Sequence, residues 1–325
     1  MKEITMVQAI CDGLRLALQS DPRIIVLGED VGKNGGVFRA TDGLWEEFGD
    51  ERVIDTPLAE SGIIGTSIGL AVNGFRPVAE IQFMGFVYPA MEQIVSHVAR
   101  LRTRTQGAFP ASLVIRIPYG GGIRAPELHS DATESLFVHI PGLKVVTPST
   151  PREAKGLLLA AISDPDPVLF LEPMQLYRSR KEEVPEEWFE VPIGQARKVL
   201  EGDDVTLISW GAMVPVAEKA AQDWKKKGVS CELLDLRSLS PLDEETVIAS
   251  AKKTGRVVIV HEAPRTLGLG AELTALINEQ AFLYLEAPVM RVTGYDAPVP
   301  MFALENDYRP SLERVSESIQ RVVSF

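Results

Sequence analysis

Short apolar runs alternate with helical patterns along the first 180 residues. A capping box at Thr5 and Gln8 opens an apolar period that predicts a first helix over about 5–20. The run 24–27 is short, uninterrupted and rich in β-branched residues, which is typical of a buried parallel strand. Similar runs occupy 78–83, 113–117, 143–146 and 168–171, and helical patterns occupy 61–73, 91–104 and 152–162. Alternation at this spacing predicts βαβ units and a parallel sheet covered on both faces.

The alternation breaks at about 180–200, in a charged stretch that contains a proline and has no apolar period. It then resumes with strand patterns at 205–210, 230–234, 257–260 and 289–293 and helical patterns at 214–227, 242–254 and 271–280. We therefore expect two α/β domains. The first covers 1–185, a linker covers 186–198, and a smaller second domain covers 199–325.

Composition narrows the class of protein. Hydrophobic residues make up 45% of the 325 residues and charged residues 24%, as in ordinary globular proteins. The net charge of −12 disfavours nucleic acid and anionic membranes as partners, because like charges repel. Two distant cysteines, Cys11 and Cys231, cannot build a disulfide framework or a thiolate metal site. With no signal-peptide pattern and no apolar run near about 18 residues, we expect a cytoplasmic protein without a membrane span.

The familiar phosphate-binding and zinc-metallopeptidase signatures are missing from the sequence. There is no G-x-x-x-x-G-K-[ST], and the glycines at 120–122 lack the spacing of G-x-G-x-x-G. The glycines within 267–270 follow a loop, so a turn at a helix start explains them better than a nucleotide site. H-E-x-x-H does not occur.

His129 is the strongest of four histidines as a candidate for chemistry. It lies in a polar loop, 126–131, where a side chain is positioned by the scaffold and free to meet substrate. His261 ends a buried strand and is a minor candidate, whereas His97 and His139 lie in contexts typical of packed residues. From the residues alone, an ordinary loop histidine explains His129 at least as well as a catalytic one.

Glu60 opens a helix whose next turn is apolar. A carboxylate at a helix start is usually only a favourable partner of the helix dipole. If this start is buried in an interface, desolvation raises its proton affinity, and the carboxyl can share a proton with a ligand nitrogen. The residues alone leave both interpretations open.

Five stretches resemble the beta subunits of the thiamine-diphosphate-dependent 2-oxo acid dehydrogenases, namely 28–32, 55–60, 79–83, 127–131 and 141–146. The likeness runs from about residue 4 to the C-terminus, with pyruvate dehydrogenases nearest and branched-chain enzymes next. It implies a transketolase-like pyrimidine-binding domain with a parallel sheet, followed by a smaller α/β domain of the transketolase C-terminal type. It also implies a heterotetramer of two alpha and two beta chains.

The same resemblance divides the cofactor site between two chains. The family holds the thiamine diphosphate through Mg²⁺ with a motif that begins Gly-Asp-Gly, and the segments 11–13 and 41–43 lack the first glycine. Mg²⁺ and the diphosphate are therefore expected on the alpha chain. Glu60 matches the glutamate that hydrogen-bonds the aminopyrimidine ring and thereby favours the imino tautomer that activates the cofactor. Leu58, Gln82 and Phe86 match positions that line the pyrimidine pocket.

Further positions carry over from the same family. His129 matches a histidine near the thiazolium and the lipoyl entrance, where an imidazole can exchange protons during acyl transfer. A potassium site corresponds to Leu113, Ala161, Ile162, Asp164 and Asp166. Glu286 and the terminal carboxylate of Phe325 match the surface that holds a small basic domain of the dihydrolipoyl acyltransferase core, a partner that suits the negative charge of this chain.

The implied activity is oxidative decarboxylation of pyruvate, with transfer of the acetyl group to lipoyl-lysine. The stretch 121–129 leans towards pyruvate enzymes and 134–139 towards branched-chain ones, so a branched-chain 2-oxo acid is the alternative substrate. A self-sufficient transketolase-type enzyme is disfavoured by the missing motif and by the length. A non-catalytic assembly subunit is disfavoured by the presence of Glu60 and His129.

Overall fold

The computed structural model describes residues 1–325. The strands are β1 (Lys2–Thr5), β2 (Ile24–Gly28), β3 (Val53–Asp55), β4 (Arg76–Glu80), β5 (Val114–Tyr119), β6 (Lys144–Val146), β7 (Val168–Pro173), β8 (Lys181–Val184), β9 (Arg197–Leu200), β10 (Val205–Ser209), β11 (Cys231–Asp235), β12 (Ser238–Ser240), β13 (Val257–Pro264) and β14 (Met290–Gly294). The α-helices are α1 (Met6–Ser20), α2 (Leu44–Phe48), α3 (Glu60–Val72), α4 (Leu101–Arg104), α5 (Glu134–Val138), α6 (Pro151–Ser163), α7 (Val214–Lys225), α8 (Glu244–Thr254), α9 (Leu269–Ala281), α10 (Glu305–Tyr308) and α11 (Leu312–Val323). None of these helices is long and apolar enough to cross a membrane.

Two mostly parallel sheets organise the chain. The larger sheet has the order β12-β6-β7-β5-β4-β2-β3, and the smaller has the order β14-β13-β10-β11-β9. Only the pairs β12–β6 and β11–β9 are antiparallel within them. The predicted α/β class with parallel sheets is therefore confirmed. Apart from the helix predicted over 91–104, the helices predicted between the strands of both halves are present with shifts of a few residues at their ends.

The two halves of the chain share one sheet. Strand β12 follows the smaller sheet's β11 in sequence, yet it pairs with β6 at the edge of the larger sheet, with Ser238 opposite Val146. Strand β8 lies in the stretch where the alternation breaks, and it pairs back with β1. Strand β9 begins at Arg197, inside the predicted linker. Backbone hydrogen bonds therefore join the parts on either side of 186–198, and the proposed domain bounds remain a prediction.

The helix predicted over 91–104 is not continuous. A π-helical turn covers Gln93–Val98, and α4 begins only after a bend at Ala99 and Arg100. The Ala99 amide donates to the Ile94 carbonyl at 3.0 Å, and the Ala99 carbonyl lies so close to Gly142 that an added Cβ would come within 2.1 Å of it. The apolar period of this segment does not distinguish a wide turn from an α-helical one.

A charged cluster lies buried across three neighbouring strands of the larger sheet. Arg116 on β5 donates to Glu80 on β4 at 2.8 Å and to Glu172 on β7 at 2.6 and 3.0 Å. The Tyr177 hydroxyl adds a hydrogen bond of 2.5 Å to Glu172. Burial raises the pKa of Glu80, and the positive charge of Arg116 opposes that shift. The cluster keeps two carboxylates and one guanidinium satisfied away from water.

Candidate active site

A crevice is expected where neighbouring strands of the larger sheet send the chain in opposite directions. The chain leaves β2 towards β3 on one side, and it leaves β4 towards β5 on the other. Glu29 follows β2, and Gln82 follows β4, so both lie at this switch point. The Gln82 amide nitrogen reaches the Glu29 carbonyl oxygen at 3.5 Å and joins the two strand ends.

Glu60 stands beside this crevice, because β3 lies next to β2 and the short connection 56–59 leads from β3 directly into α3. It is the first residue of α3 and is half-buried. Burial, followed by the negative charges of Asp30 and Glu60, raises the pKa of the Glu29 carboxyl. The Leu58 side chain, two residues before Glu60, is 71% exposed. The arrangement offers a carboxyl and an apolar side chain to a ligand or a second chain.

His129 is held between two phenylalanine rings that follow β4. Its ring centroid lies 4.4 Å from that of Phe83 and 4.9 Å from that of Phe86. The Nδ1 atom lies 2.9 Å from the Glu127 carbonyl oxygen. Since a carbonyl only accepts, Nδ1 carries the proton in the neutral ring, and Nε2 is left to exchange protons with a ligand. Phe83 had no predicted role, because a strand-end phenylalanine has no local signal for such a contact.

The close approach behind His129 requires a glycine at position 85. A Cβ atom on Gly85 would lie 2.2 Å from the Leu128 carbonyl oxygen, so only glycine lets the loop reach the segment after β4. Leu128 itself has a φ of +68°, in the left-handed region. Gln82 is thus joined to Glu29 at the end of β2, and His129 contacts both Phe83 and Phe86 in the segment after β4.

The residues of the predicted potassium site lie at the opposite ends of the strands, where α6 leads into β7. The Asp164 carboxylate is bonded to the Lys144 ammonium at 2.6 Å, and the Asp166 carboxylate to Arg102 at 2.5 Å. The Ile162 carbonyl accepts from Arg76 at 2.7 Å. The Leu113 carbonyl accepts from the Val168 amide at 3.1 Å, and the Ala161 carbonyl accepts from the Asp164 amide at 3.3 Å. Both carboxylates are therefore neutralised by side chains of the same molecule.

The remaining predicted positions lie on the surface or in the core. Glu286 is exposed and pairs with Arg256 at 2.6 Å, and the side chain of Phe325 is exposed at the C-terminus. His261, the minor candidate, is fully buried and stacks on Trp210 with ring centroids 5.1 Å apart. Burial, helped by the charge of Arg291, lowers the pKa of His261 to about 3, so the ring is a neutral packing group. No group of three or more His, Cys, Asp or Glu side chains is arranged to hold a metal ion.

Comparisons with known proteins agree with this architecture. Residues 2–180 match the transketolase pyrimidine-binding domain, and residues 194–315 match the transketolase C-terminal domain. A pyruvate dehydrogenase E1 component subunit beta from Acholeplasma laidlawii is 50% identical over 99% of this chain and 98% of its own length. The protein of the same name from Bacillus subtilis (strain 168) is 51% identical over the whole of both chains.

Among solved structures, a split gene transketolase described as an inactive beta4 tetramer is similar, with a TM-score of 0.81 and 25% identity over 99% of each chain. The fold likeness and the full-length identities point to the same group of proteins. The chain belongs to the family of pyruvate dehydrogenase E1 component beta subunits, as the resemblance of its motifs predicts.

Proposed function

We propose that this chain and an alpha subunit form an enzyme that oxidatively decarboxylates pyruvate with thiamine diphosphate and transfers the acetyl group to lipoyl-lysine. The observation that carries the proposal is the packing of His129 against Phe86 after β4, at the switch point where Gln82 is bonded to Glu29. We place Glu60, at the start of α3, in the same site. The full-length likeness to proteins named for pyruvate dehydrogenase supports the choice of substrate.

The crevice fits the aminopyrimidine half of the cofactor. Phe86 offers a half-buried aromatic surface, and Glu60 a half-buried carboxyl that can hold a proton at a ring nitrogen. Leu58 offers the ring an apolar side chain, and Gln82 offers it a polar amide. When bound, thiamine diphosphate supplies the electron sink that decarboxylation of a 2-oxo acid needs.

The crevice does not suit the diphosphate half. Glu29, Asp30, Asp55 and Glu60 put four carboxylates at this edge of the sheet, and like charge repels a diphosphate. The Asp55 carboxylate accepts from the Gly32 amide at 2.6 Å, so it is committed within the chain. We propose that the alpha chain holds Mg²⁺ and the diphosphate.

His129 serves the transfer step in this proposal. Its Nδ1–H donates to the Glu127 carbonyl, which fixes the ring and leaves Nε2 facing away from that bond. Contacts with Phe83 and Phe86 limit rotation of the ring. Nε2 can then accept or donate a proton as the acetyl group moves to a lipoyl thiol.

Assembly with an alpha chain is part of the proposal. The similar split transketolase is described as inactive when it is a tetramer of beta chains. We propose a heterotetramer of two alpha and two beta chains that docks on a dihydrolipoyl acyltransferase core. Both cysteines are free and buried, which suits the cytoplasm as the place of this assembly.

Substrate preference tests the proposed activity. We expect dye-linked decarboxylation by this chain, purified with its alpha partner, to be faster with pyruvate than with 3-methyl-2-oxobutanoate at equal subsaturating concentration. Each extra methylene that a pocket must accommodate is worth about 1–3 kcal/mol, so a clear preference is expected. A preference for the branched acid would contradict the choice of pyruvate and leave the roles of the residues unchanged.

Docking on the core tests the proposed role of Glu286. We expect Glu286→Lys to weaken binding of the heterotetramer to the acyltransferase core, with a larger effect at low salt, because salt screens attraction between surface charges. Decarboxylation by the free heterotetramer should not change. Glu51→Lys makes the same change of charge at an exposed position before β3 and serves as the control. Equal binding by the two variants would argue against this surface, of which we propose Phe325 to be a part.

We also propose a potassium ion at the loop formed by Leu113, Ala161, Ile162, Asp164 and Asp166, held by main-chain carbonyls. The carboxylates of Asp164 and Asp166 are already paired, but a carbonyl oxygen has two lone pairs and can bind a cation while it accepts an N–H. A higher midpoint of thermal unfolding in KCl than in NaCl at equal concentration is expected. Equal midpoints would remove potassium from the proposal.

A further inference from the structure

The segment from Gly120 to Asp131, here called the His129 loop, connects β5 to α5 and is tied to the second half of the chain. The Gly120 amide donates to the Asp131 carbonyl at 2.9 Å and closes the base of the loop. Residues 122–128 are exposed except for the half-buried Ala125. Packing against the core therefore contributes little to holding this loop in one conformation.

Two buried carboxylates from the second half of the chain bind the amides at the start of the loop. The Glu262 carboxylate accepts from the Gly121 amide at 2.6 Å. The Glu305 carboxylate accepts from the Gly122 amide at 2.6 Å and from the Arg124 amide at 3.0 Å. Glu262 and Glu305 are only 6% and 1% exposed. Charge-assisted hydrogen bonds of this kind are stronger than neutral ones.

Backbone conformation and close neighbours explain two glycines of the loop. Gly120 and Gly122 have φ values of +77° and +101°. A Cβ on Gly120 would lie 2.8 Å from a Glu262 carboxylate oxygen, and a Cβ on Gly122 would lie 2.7 Å from the Cβ of Gln175. The glycine-rich turn thus has the backbone freedom of an anion-binding loop, and the anions it binds are side chains of the same chain.

The loop also contains backbone strain that needs an opposing interaction. Arg124 and Leu128 have φ values of +54° and +68°, which are unfavourable for residues with a Cβ atom. Arg124 is held by Glu305 at the start of the loop. Leu128 is held by the close approach to Gly85 at its far end, directly before His129. The two ends are separated by three exposed or half-exposed residues, 125–127.

We propose that Glu305, together with Glu262, is a positioning residue for His129. The two carboxylates fix the start of the loop, and the strained, nearly unpacked backbone transmits that position to the imidazole between Phe83 and Phe86. The C-terminal half of the chain therefore sets the geometry of the acyl-transfer step. This inference rests on the proposed role of His129 in that step.

The test uses the assembled heterotetramer and the variant Glu305→Gln, in which the side-chain amide nitrogen cannot accept a hydrogen bond from one of the two loop amides. Hydrogen exchange of residues 120–131 and the ratio of lipoyl-domain acetylation to dye-linked decarboxylation are measured. We expect faster exchange and a ratio lowered about tenfold, within the range that small misplacements of catalytic groups cause. Glu305→Asp, which keeps the charge but shortens the side chain, should give intermediate values, and it serves as the test if Glu305→Gln does not assemble.

Glu317→Gln on the exposed face of α11 is the control and should match the unsubstituted enzyme in both measurements. Unchanged exchange in the Glu305 variants would overturn the inference. So would faster exchange with an unchanged ratio, provided that His129→Asn lowers the ratio. If His129→Asn leaves the ratio unchanged, the proposed role of His129 fails instead, and the exchange measurement alone then supports or overturns the fixing of the loop.

Discussion

Replacing Glu60 with glutamine is expected to lower pyruvate decarboxylation by the assembled enzyme by about a thousandfold, the middle of the range for losing a general acid or base. Glutamine has nearly the same size and can still make a hydrogen bond, but it cannot take up and release a proton at a ring nitrogen. The half-buried place of Glu60 at the start of α3 lets the shape of the crevice persist in this variant. The loss should therefore appear in the activity and not in the fold.

Dye-linked decarboxylation measures the activity, and size-exclusion chromatography with the alpha subunit checks assembly. Glu46→Gln is a matched control, because Glu46 is an exposed glutamate in the first turn of α2. That variant should keep the activity of the unsubstituted enzyme. Full activity of an assembled Glu60→Gln enzyme would show that this carboxyl has no part in activating the cofactor.

The second large effect concerns stability. We expect Arg116→Met to lower the free energy of unfolding by about 3–5 kcal/mol, because it leaves the carboxylates of Glu80 and Glu172 buried without a positive partner. The side chains of these glutamates are 5% and 0% exposed, so water cannot replace the guanidinium. The midpoint of thermal unfolding should fall by roughly 10 °C.

Arg23→Met provides the comparison on the surface. Arg23 pairs with Asp21 at 2.7 Å, but its side chain is 58% exposed, and exposed pairs contribute only about 0–1 kcal/mol. If the midpoint of thermal unfolding falls no further in Arg116→Met than in Arg23→Met, the importance assigned to the buried cluster is contradicted. Protonation relieves an unpaired buried carboxylate, so the loss in Arg116→Met should shrink as the pH is lowered.

The local sequence pattern was sufficient to predict the strands and helices that contain long apolar runs. Strand β2 and residues 168–171 of β7 are uninterrupted apolar segments, and their burial follows from composition alone. Strand β12 has the sequence Ser-Leu-Ser, and only its register against β6 makes it a strand. The π-helical turn at Gln93–Val98 was likewise not predictable from the apolar period, which does not separate i→i+5 from i→i+4 hydrogen bonding.

In the candidate site too, some residues could be predicted from local sequence, whereas others depend on contacts between distant segments. Glu60 and His129 can be picked out from the sequence as a carboxylate at a helix start and a histidine in a polar loop. The family resemblance added Leu58, Gln82 and Phe86 as residues of the pyrimidine pocket. The contact of His129 with Phe83 depends on how the loop after β5 approaches the segment after β4. The bonds from Gly121 to Glu262 and from Gly122 to Glu305 join residues 141 and 183 positions apart, a separation that no local motif contains.

The pairing of β12 with β6 has a consequence for the order in which the protein is made. When residues 1–185 have left the ribosome, β6 still presents an open row of backbone amides and carbonyls at the edge of its sheet. The strand that covers this row lies at Ser238–Ser240, which at usual rates of synthesis emerges several seconds later. An uncovered edge is a template for pairing with other chains. During those seconds β6 is an open edge at which the nascent polypeptide can pair with other chains, and the emergence of Ser238–Ser240 allows that edge to be covered.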